Sequence, residues 1–369
     1  MKIENRDSLA EDNLALGTMS TSGALPRQEH DWSAKGPIFI TGLERSGTSL
    51  LYALLASHPN LAMTRRTNLW TYFYNQFGDL GQPENLDRCL AQMMRYKRLV
   101  VLKPDAQRIR REFLQGESTY GRLFELLQRH HAERLAKPRW GDKSLNTDRY
   151  TDHILSAYPN ARILHIIRDP RDRFASSRTR WHKMRGLAGA ATAMWLSSMN
   201  RAERNRRKYP ENYLIVRYES LTAQPEETLR QICSFIGEGY SPLMLEMSGA
   251  RKFREAGGNS SYGQRQSGIS TNSIGRFRQV MSTSEIAFFQ ACAGRRMTAY
   301  HYQLDPIRFS LQDRLLFYSF DFPVNLARLW AWRIREAFQD RVGRKLPAYR
   351  IVPDPALRNV PADKLADRP

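Results

Sequence analysis

The chain has 369 residues, enough for one large domain or two modest ones, and 41% are hydrophobic, which supplies a core and excludes a disordered polypeptide. Its 57 Lys and Arg against 37 Asp and Glu leave a formal net charge of +20, so polyanions are its natural partners. No zinc-finger spacing, RNA-recognition signature or helix-turn-helix accompanies that charge, which speaks against a nucleic-acid-binding module, and no apolar run of ~18 residues offers a spanning helix.

Residues 1–35 mix Ser, Thr, Gly, Asn and charges without periodicity and read as a flexible tail with no secretory signal. Ile38 to Gly42 then reads as a buried β-strand, entering a tight glycine turn and, from Thr48, an amphipathic helix. Backbone N–H groups of such a turn converge with the helix N-terminus to cradle an anion. An ATPase loop needs Gly-x-x-x-x-Gly-Lys-[Ser/Thr]. Gly42 and Gly47 have that spacing, but Thr48 stands at the lysine position and the cation has moved upstream to Arg45. The displacement disfavours an ATPase or a nucleotide kinase.

Asn68 to Gln76 is unusually aromatic, through Trp70, Tyr72, Phe73 and Tyr74, and reads as a core-facing helix stripe or as a wall lining an acceptor. Arg108 to Lys137 is predicted as one helix, with Leu123, Phe124, Leu126 and Leu127 on its buried side. A short strand ends at Gly141-Asp142-Lys143, and a helix carries Tyr150, Ile154, Leu155 and Tyr158. Ala161 to Ile167 is a second buried strand. It leads into Arg168-Asp169-Pro170 and a helix bearing Ser176, where Arg168 offers a guanidinium fork and Ser176 a hydroxyl; the plain alternative is an Arg168–Asp169 pair at a strand end. Two basic helices follow to about Lys208, their arginines read as a solvated face.

Tyr213 to Glu219 is again β-rich, and Pro225-Glu226-Glu227 suits a helix's first turn. Gly257 to Ser273 reads as a loop rich in Gly, Ser, Asn and Gln that acts as a lid, ahead of Ile274-Gly275-Arg276-Phe277-Arg278. A helix is predicted from Ser284-Glu285 to about Tyr300. Beyond it, residues 306–369 form a basic, helical C-terminal extension. Leu326, Leu329, Trp330, Ile334, Phe338 and Val342 share one predicted face, with Arg328, Arg335 and Arg341 off it. That face suits interfacial membrane contact through residues 324–345, or docking on its own domain or on a second subunit. Cys89, Cys233 and Cys292 show neither metal-ligand nor disulfide spacing, which points to a reducing, cytoplasmic setting, peripheral to the inner membrane face if the helix touches lipid.

Arg45 to Leu51, followed by Ser57-His58-Pro59, resembles the 5′-phosphosulfate loop of the sulfotransferase family, and Ala161 to Ser176 resembles that family's 3′-phosphate motif. The chain is similar to its anchorless, bacterial-type branch, related to the tyrosylprotein and carbohydrate enzymes. The resemblance implies a three-layer, P-loop-like α/β domain with a central parallel sheet over residues 36–305. It implies 3′-phosphoadenosine 5′-phosphosulfate (PAPS) as co-substrate, no metal, and a hydroxyl of a carbohydrate, glycolipid or other metabolite as acceptor. Arg45, Ser46, Gly47, Thr48 and Ser49 would hold the 5′-phosphosulfate, and Arg168 and Ser176 the 3′-phosphate. Tyr218, in Tyr-Glu-x-Leu, would approach the adenine unless it is simply a buried strand-end tyrosine; Gly275 and Arg276, with Arg278 second, would close over the ribose phosphate. Lys143 matches a lysine that approaches the transferring group.

One departure stands out: where the protein-tyrosine branch carries its catalytic Glu, this chain has Arg66, and no Asp or Glu occurs between Glu44 and Asp79. Asp142 is the expected base in its place, with Asp148 as substitute, and Arg65 and Arg66 are suited to an acidic acceptor. Glu44, inside the anion loop, must turn away. The alternatives are a catalytically inactive protein that binds PAPS or its desulfated product PAP on the same fold, and a divergent nucleotide kinase.

Overall fold

The computed structural model describes residues 35–180, 187–250, 268–342 and 345–352. Most of the expected tail (residues 1–34) and of the expected lid (residues 257–267 of 257–273) lies outside them. Five strands form one sheet: β1 (Ile38–Gly42), β2 (Leu61–Arg65), β3 (Arg139–Lys143), β4 (Arg162–Ile167) and β5 (Tyr213–Arg217). Their order is β2-β3-β1-β4-β5, every pairing is parallel, and helices cover both faces. Such a sheet is buried on both sides, which is why β1 reads as an unbroken apolar run.

Alternation along β1 separates the layers. Ile38 and Ile40 face α1 (Thr48–Ala56), packing with Leu50, Leu54 and Val216. Phe39 faces the opposite layer, where it meets Trp140 edge-on at 5.7 Å and stacks on Tyr158 at 6.2 Å. That second layer holds α2 (Pro83–Arg95), α3 (Ala106–Phe113), α4 (Tyr120–Arg134) and α5 (Thr151–Ala157). The single helix expected over Arg108 to Lys137 is therefore two. Asp105 and Thr119 each accept a backbone N–H three residues on, so both α3 and α4 carry their own N-caps. Trp70 and Phe73 are core residues, as a packing stripe requires, although the helix beneath them is only the turn Leu69–Tyr72.

After β4 come α6 (Pro170–Arg180) and α7 (Ala188–Lys208); after β5 come α8 (Tyr218–Ala223) and α9 (Pro225–Ile236), with Pro225 in the first turn of α9. α10 (Thr283–Ala299) starts one residue before the expected Ser284-Glu285, because Ser282 and Glu285 close a capping box. The extension is α11 (Leu311–Leu316), a π turn over Phe317–Asp321 and α12 (Phe322–Val342).

The face expected on α12 divides in two. Leu329 is buried and Leu326 packs beside it in the core shared with α7 and α10, whereas Trp330, Ile334 and Phe338 are exposed. Asn325 and Glu336, not apolar residues, complete the docked side: Asn325 Oδ1 accepts the Gly189 N–H at 3.0 Å, and Glu336 pairs with Arg149 and Arg201. The side chains of Arg341 and Val342 lie outside the described residues.

Candidate functional site

β1 delivers its chain to the turn before α1 at the C-terminal edge of the sheet. Gly42 (φ 133°) and Gly47 (φ 97°) hold backbone conformations that suit glycine, and Arg45 between them is itself left-handed at φ 70°. Gly47 is the N-cap of α1, and no side chain caps that helix, so its leading amides keep their capacity for an anion. Ser46 and Thr48 are buried within the turn, and Ser49 Oγ accepts from Lys143 Nζ at 3.4 Å. Glu44 is exposed, turned from the buried turn, although its charge is still felt at Lys143 and Arg173.

β4 runs beside β1 with Gly42 opposite Ile166, which places the two motifs side by side. Arg45 Nε donates to Ser176 Oγ at 3.0 Å, and Arg168 Nη1 donates to the Arg45 carbonyl at 3.2 Å. The alternative reading, a plain Arg168–Asp169 pair, is not what the strand end shows. Asp169 takes Arg171 instead, at 2.7 Å, leaving the Arg168 guanidinium 4.4 Å over the Tyr218 ring, with Nη2 donating to the Ser273 carbonyl at 2.6 Å. Tyr218 is buried at the start of α8, its hydroxyl 2.8 Å from Ser273 Oγ. Its ring lies so close to Gly47 that a Cβ there would sit 2.3 Å from Cδ2. The tyrosine therefore joins the two motifs physically.

The segment after residue 268 is tied to the same place. Asp172 accepts the N–H groups of Gly275 (2.7 Å) and Phe277 (2.9 Å), and burial pushes its carboxyl above the usual range. Arg276 is half-buried at the head of the turn Phe277–Val280. Arg278, the second choice beside it, is held by Asp305 at 2.8 Å.

Arg173, which the motif reading passed over, is fully buried on α6 beside this cluster and donates through Nη1 to the Glu44 carbonyl at 3.2 Å. Burial pulls its guanidinium down to about 10. Its Nε and Nη2, together with Arg168 Nε, find no hydrogen-bond partner among the described residues. Buried guanidinium N–H groups without acceptors are costly, and a multiply charged phosphate ester is the kind of group that satisfies them. Spacing could have found Arg173, since it lies three residues before Ser176 on one helix face.

The expected catalytic pair is split by strand geometry. Consecutive residues of a strand face opposite sides, so Lys143 points to the α1 side, where Ser49 stands, and Asp142 to the α4 side. There Asp142 accepts from Thr64 Oγ1 (2.8 Å) and Ser144 Oγ (2.6 Å), and burial raises its pKa. Asp148 is held by Arg201 at 2.5 Å and by Thr41 at 3.1 Å, and falls to about 2 despite its burial, which opposes that shift. Neither carboxylate shares the Lys143 side, so expecting Asp142 to act beside Lys143 as base is corrected by the alternation of β3. Lys143 is itself lowered to about 7, first by burial and then by Arg66 and Arg65. Arg66, exposed and left-handed at φ 58°, stands at the head of this cationic mouth, its N–H donating to the Lys143 carbonyl at 2.7 Å.

Residues 37–242 match the model of the sulfotransferase family, more than half of the chain, and the chain belongs to that family. It is 23% identical over 213 residues to a protein-tyrosine sulfotransferase of Drosophila melanogaster, covering 56% of this chain and 39% of that protein. It is 24% identical over 225 residues to an uncharacterized protein of Aquifex aeolicus, covering 58% and 27% respectively. The chain thus spans well under half the length of these curated relatives. Among solved structures it is similar to the sulfotransferase domain of the Synechococcus PCC 7002 olefin synthase, at 20% identity and a TM-score of 0.40, over 77% of this chain and 94% of that one. No described helix is long and apolar enough to cross a membrane.

Proposed function

We propose that the protein is a sulfotransferase that moves a sulfuryl group from PAPS to a hydroxyl of a carbohydrate, glycolipid or other metabolite. The observation that carries this reading is the junction of the two motifs: Arg45 on Ser176, and Arg168 on the Arg45 carbonyl. Two cationic centres joined at the ends of neighbouring strands suit one molecule with phosphate at both ends, and the unsatisfied donors of Arg168 and Arg173 fit that charge. Residues 36–305 form the transfer domain in this reading, with residues 306–369 as its extension.

PAPS supplies an activated sulfuryl group. Arg45 and the amides of Ser46 to Ser49 would hold the 5′-phosphosulfate, Arg168, Ser176 and Arg173 the 3′-phosphate, Tyr218 the adenine, and Gly275 and Arg276 the covering segment. In-line transfer asks little covalent work of a protein; positioning and stabilisation of developing charge carry the rate. Lys143, which donates to Ser49, would meet charge on the transferring group. The cationic mouth of Arg65, Arg66 and Lys143 favours an acceptor that already bears negative charge.

One observation favours a second reading, a protein that binds PAPS or PAP without turnover: Asp142 and Asp148, the two acids expected as base, both lie off the Lys143 side of β3. Single-turnover transfer from labelled PAPS to pooled carbohydrate and glycolipid acceptors decides between them. Labelled product supports the enzyme; PAP binding without product supports the second reading. PAP at a hundredfold excess over its Kd stabilises a specific site by ~2.7 kcal/mol, and no thermal shift with PAP removes both.

A further inference from the structure

We propose that the outward face of the C-terminal helical element is a docking surface for an anionic lipid bilayer. From Leu311 to Val342 the chain is continuously helical, interrupted only by the π turn at Phe317–Asp321. Leu311 (89% exposed), Leu315 (70%), Trp330 (53%), Ile334 (70%) and Phe338 (66%) are large apolar residues left to solvent. At about 100° per residue, Trp330, Ile334 and Phe338 fall within about 80° of one another. A π turn bonds i to i+5 and so takes in one residue more than an α turn. That extra residue rotates Leu311 and Leu315 into line with Trp330 and Ile334, making one apolar stripe of two helices.

Charge is sorted around the stripe as a negatively charged surface requires. Arg314 and Arg333 flank one side of it and Arg328 and Arg335 the other, and the Arg333 guanidinium lies 5.2 Å over the Trp330 ring. The acids of the two α-helices lie off the stripe: Glu336 and Asp340 pair with Arg149, and Asp313 engages the Ser310 cap at 2.7 Å; the remaining acid, Asp321, is half-buried in the π turn. An outward face of Trp, Phe, Leu and Ile between arginines, on a chain of net charge +20, matches an element that lies in the headgroup region with its arginines reaching phosphate. A second copy of the chain would bring the same arginines against themselves, which is why lipid is the occupant chosen. Lipid binding of this kind needs neither donor nor turnover.

The test is flotation of the full chain with phosphatidylcholine vesicles and with vesicles of phosphatidylcholine containing one third phosphatidylglycerol. Binding to the anionic vesicles, weakened by salt and reduced roughly tenfold or more in I334D/F338D, is the expected result. Both substituted residues are solvent-exposed, so the melting temperature should be unchanged; an R328Q/R335Q variant, which keeps the stripe, should lose binding to anionic vesicles as well. The proposal is overturned if the full chain ignores anionic vesicles. It is equally overturned if I334D/F338D floats like the parent, or if light scattering shows a dimer that I334D/F338D dissociates.

Discussion

Gly47→Ala probes whether the donor loop and the second motif are one device. The new Cβ would stand 2.3 Å from Tyr218 Cδ2 and 3.2 Å from Ile166 Cδ1, so the tyrosine ring must retreat by about 1 Å to reach ordinary contact. The ring has nowhere easy to go, lying under the Arg168 guanidinium at 4.4 Å with its hydroxyl 2.8 Å from Ser273 Oγ. Two costs add: about 1–2 kcal/mol for a non-glycine residue at φ 97°, and about 1–3 kcal/mol for overpacking. Urea denaturation should show about 2–5 kcal/mol of destabilisation at unchanged m-value. PAP affinity should fall about tenfold, as the cation–π contact that orients Arg168 is worth about 1 kcal/mol or more when desolvated. A double-mutant cycle with Tyr218→Ala separates the terms, because truncating the ring removes the clash and leaves the backbone strain. The steric part should then vanish as a coupling of about 1–3 kcal/mol. A coupling of zero, with Gly47→Ala equally costly in both backgrounds, would refute the claim that Tyr218 packs the loop.

Arg45→Met should weaken PAP binding by roughly tenfold to a hundredfold in calorimetry, the range of one charge-assisted hydrogen bond, and Arg45→Lys should recover only part, since an ammonium lacks the guanidinium fork that reaches Ser176. Lys143, lowered to about 7, must be charged to serve an anion, so PAP affinity should decline as pH rises above 7, with proton uptake on binding. Lys143→Met should flatten that profile. Because the folded Lys143 holds its proton less well than the unfolded chain, its contribution to stability should rise between about pH 7 and pH 10, a slope that Lys143→Met also removes from urea midpoints. Asp172→Ala leaves the Gly275 and Phe277 amides without their acceptor, at about 1–3 kcal/mol each; hydrogen exchange at both amides should accelerate.

The sheet could be read from the chain because parallel strands covered on both faces leave apolar runs, as in Ile38 to Ile40 and, broken only by the buried His165, Ile163 to Ile167. Anion loops announce themselves too, since Gly42 and Gly47 answer to backbone angles that few other residues adopt. Side-chain direction was harder. Asp142 and Lys143 are neighbours in sequence, and a motif reading joins them, yet a strand turns adjacent residues to opposite layers. Arg173 was hidden for the opposite reason: it lies inside the second motif without a role there, and its burial with two unpaired nitrogens is what marks it. Arg66 was visible as a departure, and its position explains a property no motif contains. The charge of Arg66 stands against Lys143 and helps to lower it.

The C-terminal element shows where periodicity itself misleads. A 3.6-residue period groups Leu326, Leu329 and Trp330 on one face, but the docked side of α12 is built around Asn325, Leu329 and Glu336, with polar contacts to Gly189 and Arg149. Hydrophobicity alone cannot say that a carboxylate points inward, because the arginine that makes this favourable is 187 residues away, at Arg149. Nor does composition reveal the π turn at Phe317–Asp321. Run through that turn as an unbroken α-helix, Leu311 and Leu315 fall roughly a quarter-turn out of line with Trp330 and Ile334, and the stripe disappears. One added residue in the turn restores it. Leu311→Asp should therefore weaken vesicle binding as Ile334→Asp does, although nineteen and more residues separate Leu311 from the Trp330 patch; vesicle binding indifferent to Leu311 would mean that the two helices do not share a face.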